Sequence, residues 1–217
     1  MKRLLGWFLR IFFHLLYHQF AWTYDWVADG VSLGRWNEWV RSILPYMQEG
    51  RILELGYGPG HLQAELARKG FSSFGLDASH QMSHQAMNRL QKIGFSSKLV
   101  RGFAQALPFE EGTFQTVVAT FPSEYIVDPR TLFEIERVLL PGGQVIILAL
   151  AWITGEKWLE RAAGGLFRIT GQSPEWEDRF LEPVREAGFL AHVDWVDLET
   201  SRLAIIAGQK LTKKLLK

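Results

Sequence analysis

The stretch that most limits the fold is "RILELGYGPGHLQAEL", residues 51 to 66. A short apolar run, "RILEL", reads as a buried strand. It breaks at once into Gly56, Gly58 and Gly60, and apolar residues then resume at helical spacing with Leu62, Leu66 and Ala67. Glycine accepts positive φ and lets another group approach without a Cβ in the way. A strand, a glycine turn and a helix in that order form the opening unit of an open α/β sheet, whose ligands sit beyond the carboxyl ends of its strands.

The rest of the chain keeps the same rhythm. Strands are expected at "FSSFGLD", "SSKLVRG", "TFQTVVAT" and the wholly apolar "QVIILALA". Helices are expected at residues 61 to 69, 80 to 93, 129 to 139, 156 to 169 and from Pro174 through Ala187, with "LLPGG" as an exit turn. "FLAHVDWVDL" and "SRLAIIAGQ" close the sequence as two strands joined by a short turn, before the basic tail "KLTKKLLK". The alternation predicts a doubly wound, mostly parallel sheet with helices on both faces. Residues 48 to 217 are expected to form one globular unit. Residues 1 to 47 are expected to supply an amphipathic helix and, over "YDWVADGVSLGRWNEWVRSILPYM", a lid of two helices.

The glycine spacing narrows the ligand. A dinucleotide fingerprint needs a third glycine where His61 stands, and a phosphate-binding loop needs G-K-[ST] where "GPGHL" runs. Asp77 ends the second strand about 20 residues past the loop, where an acid accepts hydrogen bonds from ribose hydroxyls. Glu54, just before the loop, would repel a pyrophosphate and favour a positive charge. A cationic nucleoside fits both acids. Asp77 as a helix cap and Glu54 as a surface acid are the plainer alternatives.

Composition closes other routes. Net charge is +1, without the basic excess of a dedicated nucleic-acid binder. Cysteine is absent, so there is no disulfide framework and no thiolate nucleophile or ligand. The histidines offer the helical pairs His14/His18 and His80/His84 without an evident third ligand, so no metal site is expected. The first 20 residues carry Arg3, Arg10, His14 and His18 on one helical side and Leu4, Leu5, Trp7, Phe8, Ile11, Phe12, Leu15 and Leu16 over the rest. Charge interrupts any window long enough to span a bilayer. Two readings fit: a helix lying in a membrane interface, or one packed on the domain or on another subunit.

Four blocks, "ELGYGPGHL", "GLDAS…M", "GFAQALPF…GTF" and "RVLLPGG", resemble in order and spacing the class I S-adenosylmethionine-dependent methyltransferases of the small-molecule branch. The resemblance covers about residues 50 to 150. It implies a Rossmann-like sheet of seven strands with the last antiparallel, and S-adenosyl-L-methionine as cofactor. It implies that Glu54, Gly56, Tyr57, Gly58 and Gly60 line the methionine end, and that Asp77 and Ala78 meet the ribose. Ala104 and Gln105 would lie beside adenine, with Met82 and Leu107 packing nearby, and Thr120 and Phe121 beneath the reacting methyl. Gln115 stands where the family often has an acid.

"YDWVADGVSLGRW" is similar to the N-terminal "YD…SLG" segment of ubiquinone/menaquinone methyltransferases and of bacterial phospholipid N-methyltransferases, which closes over the cofactor. Tyr24, Glu124 and Tyr125 are the polar groups that would orient an acceptor. The expected activity is methyl transfer to a lipid or hydrophobic small molecule by a cytoplasmic protein, peripheral at the inner membrane face. A soluble natural-product or small-acid methyltransferase, and a nucleoside-binding protein without catalysis, are the alternatives.

Overall fold

The structure is a computed structural model and describes residues 32, 34–96, 98–154 and 176–211. Expectations for residues 1 to 31, Tyr24 included, for the helix at 156 to 169 and for the tail at 212 to 217 lie outside the described residues.

The chain runs α1 (Trp36–Arg41), a 3-10 turn (Leu44–Tyr46), β1 (Arg51–Leu55), α2 (His61–Arg68), β2 (Ser72–Asp77), α3 (His80–Lys92) and β3 (Leu99–Arg101). It continues through β4 (Phe114–Thr120), a 3-10 turn (Glu124–Val127), α4 (Pro129–Val138), β5 (Leu139–Ile153), α5 (Trp176–Glu186), β6 (Phe189–Leu198) and β7 (Ser201–Lys210). The strands form one seven-stranded sheet in the order β3-β2-β1-β4-β5-β7-β6. Pairing is parallel from β3 to β5, and β7 runs antiparallel between β5 and β6. This is the expected Rossmann-like sheet.

Strand order reverses between β1 and β4. Helices leave opposite faces there, and a crevice opens at the carboxyl ends of those two strands. The central strands are apolar on both faces because both are covered. On one face Ile52, Val118, Ile146, Leu148 and Ile205 pack with Trp39, Val40 and Ile43 of the α1 region and with Leu62 and Leu66 of α2. On the other, Val117, Ala119, Val145 and Ile147 pack with Leu132 and Ile135 of α4 and Leu181 and Val184 of α5. Each fully buried Ile or Leu contributes about 1.5–3 kcal/mol.

Local chemistry sets the helix starts. Ser79 caps α3 by accepting the Met82 N–H at 3.3 Å. Asp128 caps α4 by accepting the Arg130 N–H at 2.9 Å, with Pro129 at the first helical position. β5 begins earlier than expected, at Leu139, so "LLPGG" belongs to the strand rather than to an exit turn. Its pairing with β4 jumps from Phe114↔Leu139 to Thr116↔Gln144, and the intervening residues form a bulge.

Gln115 explains itself at the amino edge of the sheet. Its amide donates to Gln48 Oε1 at 2.7 Å, and Gln48 donates to Gln144 Oε1 at 3.2 Å. Gln144 in turn donates to the Tyr46 carbonyl. The amide chain ties the segment before β1 to β4 and β5, away from the crevice.

Candidate functional site

The site is built where β1, β2 and β4 end. After Leu55 the chain turns through Gly56, whose N–H donates to the Leu76 carbonyl at 2.7 Å. Gly56 has φ +69°, and a Cβ there would lie 2.5 Å from the Tyr125 hydroxyl. That hydroxyl donates to the Leu55 carbonyl at 3.0 Å. So the residue after β4 that sequence reasoning put beside an acceptor is seated on the first glycine of the loop. Gly58, at φ +51°, turns its N–H onto Asp77 Oδ2 at 2.9 Å. A Cβ on Gly58 would meet no atom of the described residues within 4 Å.

Asp77 is 2% exposed. Besides Gly58 it accepts the Ser79 N–H on Oδ1 at 2.8 Å. One carboxylate thus fixes two turns, the glycine loop and the entry to α3, while Ser79 does the capping.

Glu54, one pleat before the loop, is 1% exposed. Its Oε2 accepts the Gln63 amide at 2.9 Å, and that amide also donates to the Phe74 carbonyl at 3.1 Å. Burial pushes the Glu54 carboxyl up to about 8; the Gln63 bond opposes this and the Asp77 charge adds to it. A cation bound at this corner, beside Asp77, would favour the charged form of Glu54.

The loop after β3 is pinned from α4. Glu134 accepts the Leu107 N–H at 2.7 Å. Arg137 holds Glu134 and donates to the carbonyls of Phe109 and Leu107 at 2.8 and 3.0 Å. The Arg137 guanidinium keeps the Glu134 carboxyl below its usual range. Gln105 donates to Asp128 at 3.3 Å, and Ala104 and Leu107 are buried.

The other expected residues divide. Met82 is fully buried on α3, and Tyr57 is buried with its hydroxyl 2.7 Å from Ser83 Oγ, so it anchors the loop to α3. Ala78 is exposed beside Asp77, and Thr120 ends β4. Glu124 is exposed and begins the turn whose next residue, Tyr125, reaches the glycine loop.

Sequence reasoning missed several partners. Arg89 of α3 donates to the Pro59 carbonyl at 2.8 Å and approaches His61 Nδ1 at 3.2 Å, clamping the loop from outside. Gln63 completes Glu54. Trp36 and Trp39 meet Phe121, with ring centroids 4.7 and 5.9 Å away. The i,i+3 spacing of the tryptophans was visible, but nothing local announced that they face the end of β4.

No group of three or more potential metal ligands occurs among the described residues. Among them, no helix is long and apolar enough to cross a membrane.

Comparison with known proteins falls on this same region. Residues 52–143 match a family described as a methyltransferase domain. The chain is 32% identical over 142 residues to demethylmenaquinone methyltransferase of Chlorobaculum tepidum, covering 61% of this chain and 57% of that one. It is 35% identical over 102 residues to phosphatidylethanolamine N-methyltransferase of Cereibacter sphaeroides, covering 46% and 50%. A putative methyltransferase of Bacillus subtilis, YqeM, is 31% identical over 140 residues, covering 59% and 53%. The chain spans about half the length of these relatives. Among solved structures, a SAM-dependent methyltransferase from Methanosarcina mazei superposes with a TM-score of 0.59 at 24% identity, covering 79% of this chain and 98% of that one. That likeness concerns the fold.

Proposed function

We propose that this chain, whose residues 52–143 are a class I S-adenosylmethionine-dependent methyltransferase domain, transfers a methyl group to a lipid or hydrophobic small molecule at a membrane surface. The observation that carries the cofactor half is Asp77: a buried carboxylate at the end of β2 that accepts hydrogen-bond donors from the glycine loop and from the entry to α3. A ribose diol supplies two such donors. The space around Gly58 left by the described residues and the Asp77 carboxylate suit a bulky ligand with positive charge. A dinucleotide phosphate would meet that carboxylate.

When bound, S-adenosylmethionine supplies the methyl group and a neutral thioether as leaving group. The chain's own residues hold and orient. Asp77 accepts the ribose hydroxyls. Glu54 faces the charged methionine end through the loop it precedes. Ala104 and Gln105, pinned from α4, border the adenine. Tyr125 keeps the loop seated and, with Glu124 at the rim, orients the acceptor. Transfer between aligned groups is mainly a matter of position and exclusion of water. The lid residues before β1, packed against Phe121, provide that exclusion.

The lipid acceptor is supported by relatives named for a menaquinone precursor and for phosphatidylethanolamine. The amphipathic pattern of residues 1 to 20 adds a means of docking. A soluble natural-product or small-acid methyltransferase, with the helix of residues 1 to 20 packed over the pocket, is the second reading.

Methyl-labelled S-adenosylmethionine, incubated with phosphatidylethanolamine vesicles and, separately, with demethylmenaquinol, tests the acceptor. Label in one lipid, with vesicle pelleting that fails once residues 1 to 20 are removed, is the expected result. Label in neither, or pelleting unaffected by the truncation, rejects the lipid or the membrane half respectively.

A further inference from the structure

The α1 face of the sheet, at the carboxyl end of β4, holds two unusual features. The first is a strained aromatic. Phe121 has φ +47° and is the one non-glycine residue with positive φ among the described residues. For a bulky residue this is an outlier, and such strain persists where the surroundings over-determine it, commonly at ligand sites.

The strain has a visible effect. Along β4, Val117 and Ala119 pack on the α4 and α5 face, and Val118 on the α1 and α2 face. Period-two alternation would send position 121 to the side of Ala119. Instead the Phe121 ring packs with the α1 and α2 cluster, against Trp36 and Trp39. Its N–H still completes the ladder by donating to the Leu148 carbonyl at 2.8 Å. The backbone is turned left-handed at the last step, and the ring changes faces.

The second feature is a polar atom. Trp39 is 2% exposed, and its indole Nε1 has no hydrogen-bond partner among the described residues. A buried donor without an acceptor destabilises the fold, and native proteins keep few of them. It sits in the same aromatic cluster, at the carboxyl end of β4.

We propose that Phe121 and Trp39 are the acceptor-recognition pair: an oxygen of the methyl acceptor takes the Trp39 N–H, while the turned Phe121 ring packs on the acceptor's apolar body. This rests on the methyltransferase reading above. The ligand chemistry is an apolar molecule bearing a hydrogen-bond-accepting oxygen. A quinol oxygen and a phospholipid oxygen both qualify, and the experiment separates them.

The enzyme is labelled with 15N at its indole nitrogens, and the Trp39 signal is identified by its loss in Trp39→Phe. S-adenosylhomocysteine is added to saturation. Demethylmenaquinol in detergent micelles and phosphatidylethanolamine in detergent micelles are then titrated separately. The expected result is a downfield shift of the Trp39 N–H in one arm. Trp39→Phe then raises the KM for that acceptor about tenfold, the loss of one hydrogen bond, while affinity for S-adenosylhomocysteine is unchanged. Phe121→Gly raises the same KM without melting below Phe121→Ala, because glycine accepts the left-handed backbone.

A Trp39 signal unmoved in both arms, with S-adenosylhomocysteine bound, overturns the inference and leaves the cofactor reading standing. So does a Trp39→Phe enzyme that loses both affinities together, which marks a structural role, or an indole held by a trapped water that neither acceptor displaces. Failure to bind S-adenosylhomocysteine removes the reading and the inference together.

Discussion

Asp77 and Glu54 are buried acids on consecutive, paired strands, yet burial uses them differently. Asp77 accepts two backbone N–H groups and keeps the loop in place. Replacing it with Asn removes the charge and turns one acceptor into a donor. Affinity for S-adenosylhomocysteine should fall about 10- to 100-fold, the worth of hydrogen bonds to a charged group, as read by calorimetry. Glu54 has its folded pKa raised to about 8 from an ordinary value of 4.5. Between those values the folded state binds the extra proton, so stability falls as pH rises through that window and levels off above it. Glu54→Gln should abolish the slope. Melting curves at pH 5 and pH 9 should show the variant gaining on the native protein at the alkaline end by at least about 1 kcal/mol, some 2–4 °C. A native protein equally stable at both pH values would contradict this.

At the scale of elements, the account depends on one contact between the β1–α2 turn and the segment after β4. Gly56→Ala places a Cβ 2.5 Å from the Tyr125 hydroxyl and at φ +69°. The expected loss is about 1–3 kcal/mol, measured by denaturant titration. Tyr125→Phe removes the hydroxyl, leaving the nearest ring carbon 3.4 Å away. Added to Gly56→Ala, it should recover part of the loss, so the double variant is less damaged than the two single effects combined. Strict additivity would show that the contact does not matter.

The strands and helices around this contact were legible because each carried its own signal. "RILEL" and "QVIILALA" read as short apolar runs, and Leu62, Leu66 and Ala67 at helical spacing marked α2. The glycine loop and Asp77 were legible for the same reason. The Tyr125–Gly56 contact was not, since it joins residues about 70 apart through the sheet order. Nor was the bulge that draws "LLPGG" into β5, because glycine and proline read locally as a turn. The left-handed turn at Phe121 carries no local sequence signal either.

On the scale of the whole molecule, the two edges of the sheet differ in kind. The amino edge holds the Gln115–Gln48–Gln144 amide chain and a cleft of about 620 Å³ lined by Glu49, Arg51, Lys69 and Ser72 among others. The carboxyl edge holds the glycine loop, Asp77, the pinned loop after β3, and Phe121 with its tryptophans. Sheets of this topology bind at the carboxyl edge, where the order reverses, and the buried acids lie there. The claim on which everything else stands is that this edge takes a cationic nucleoside rather than a dinucleotide. Calorimetric titration of the full chain with S-adenosylmethionine, S-adenosylhomocysteine and NAD measures it directly. The account predicts saturable binding of the first two and none of the third. Indifference to both sulfur ligands at millimolar concentration, or binding of NAD in their place, would contradict it.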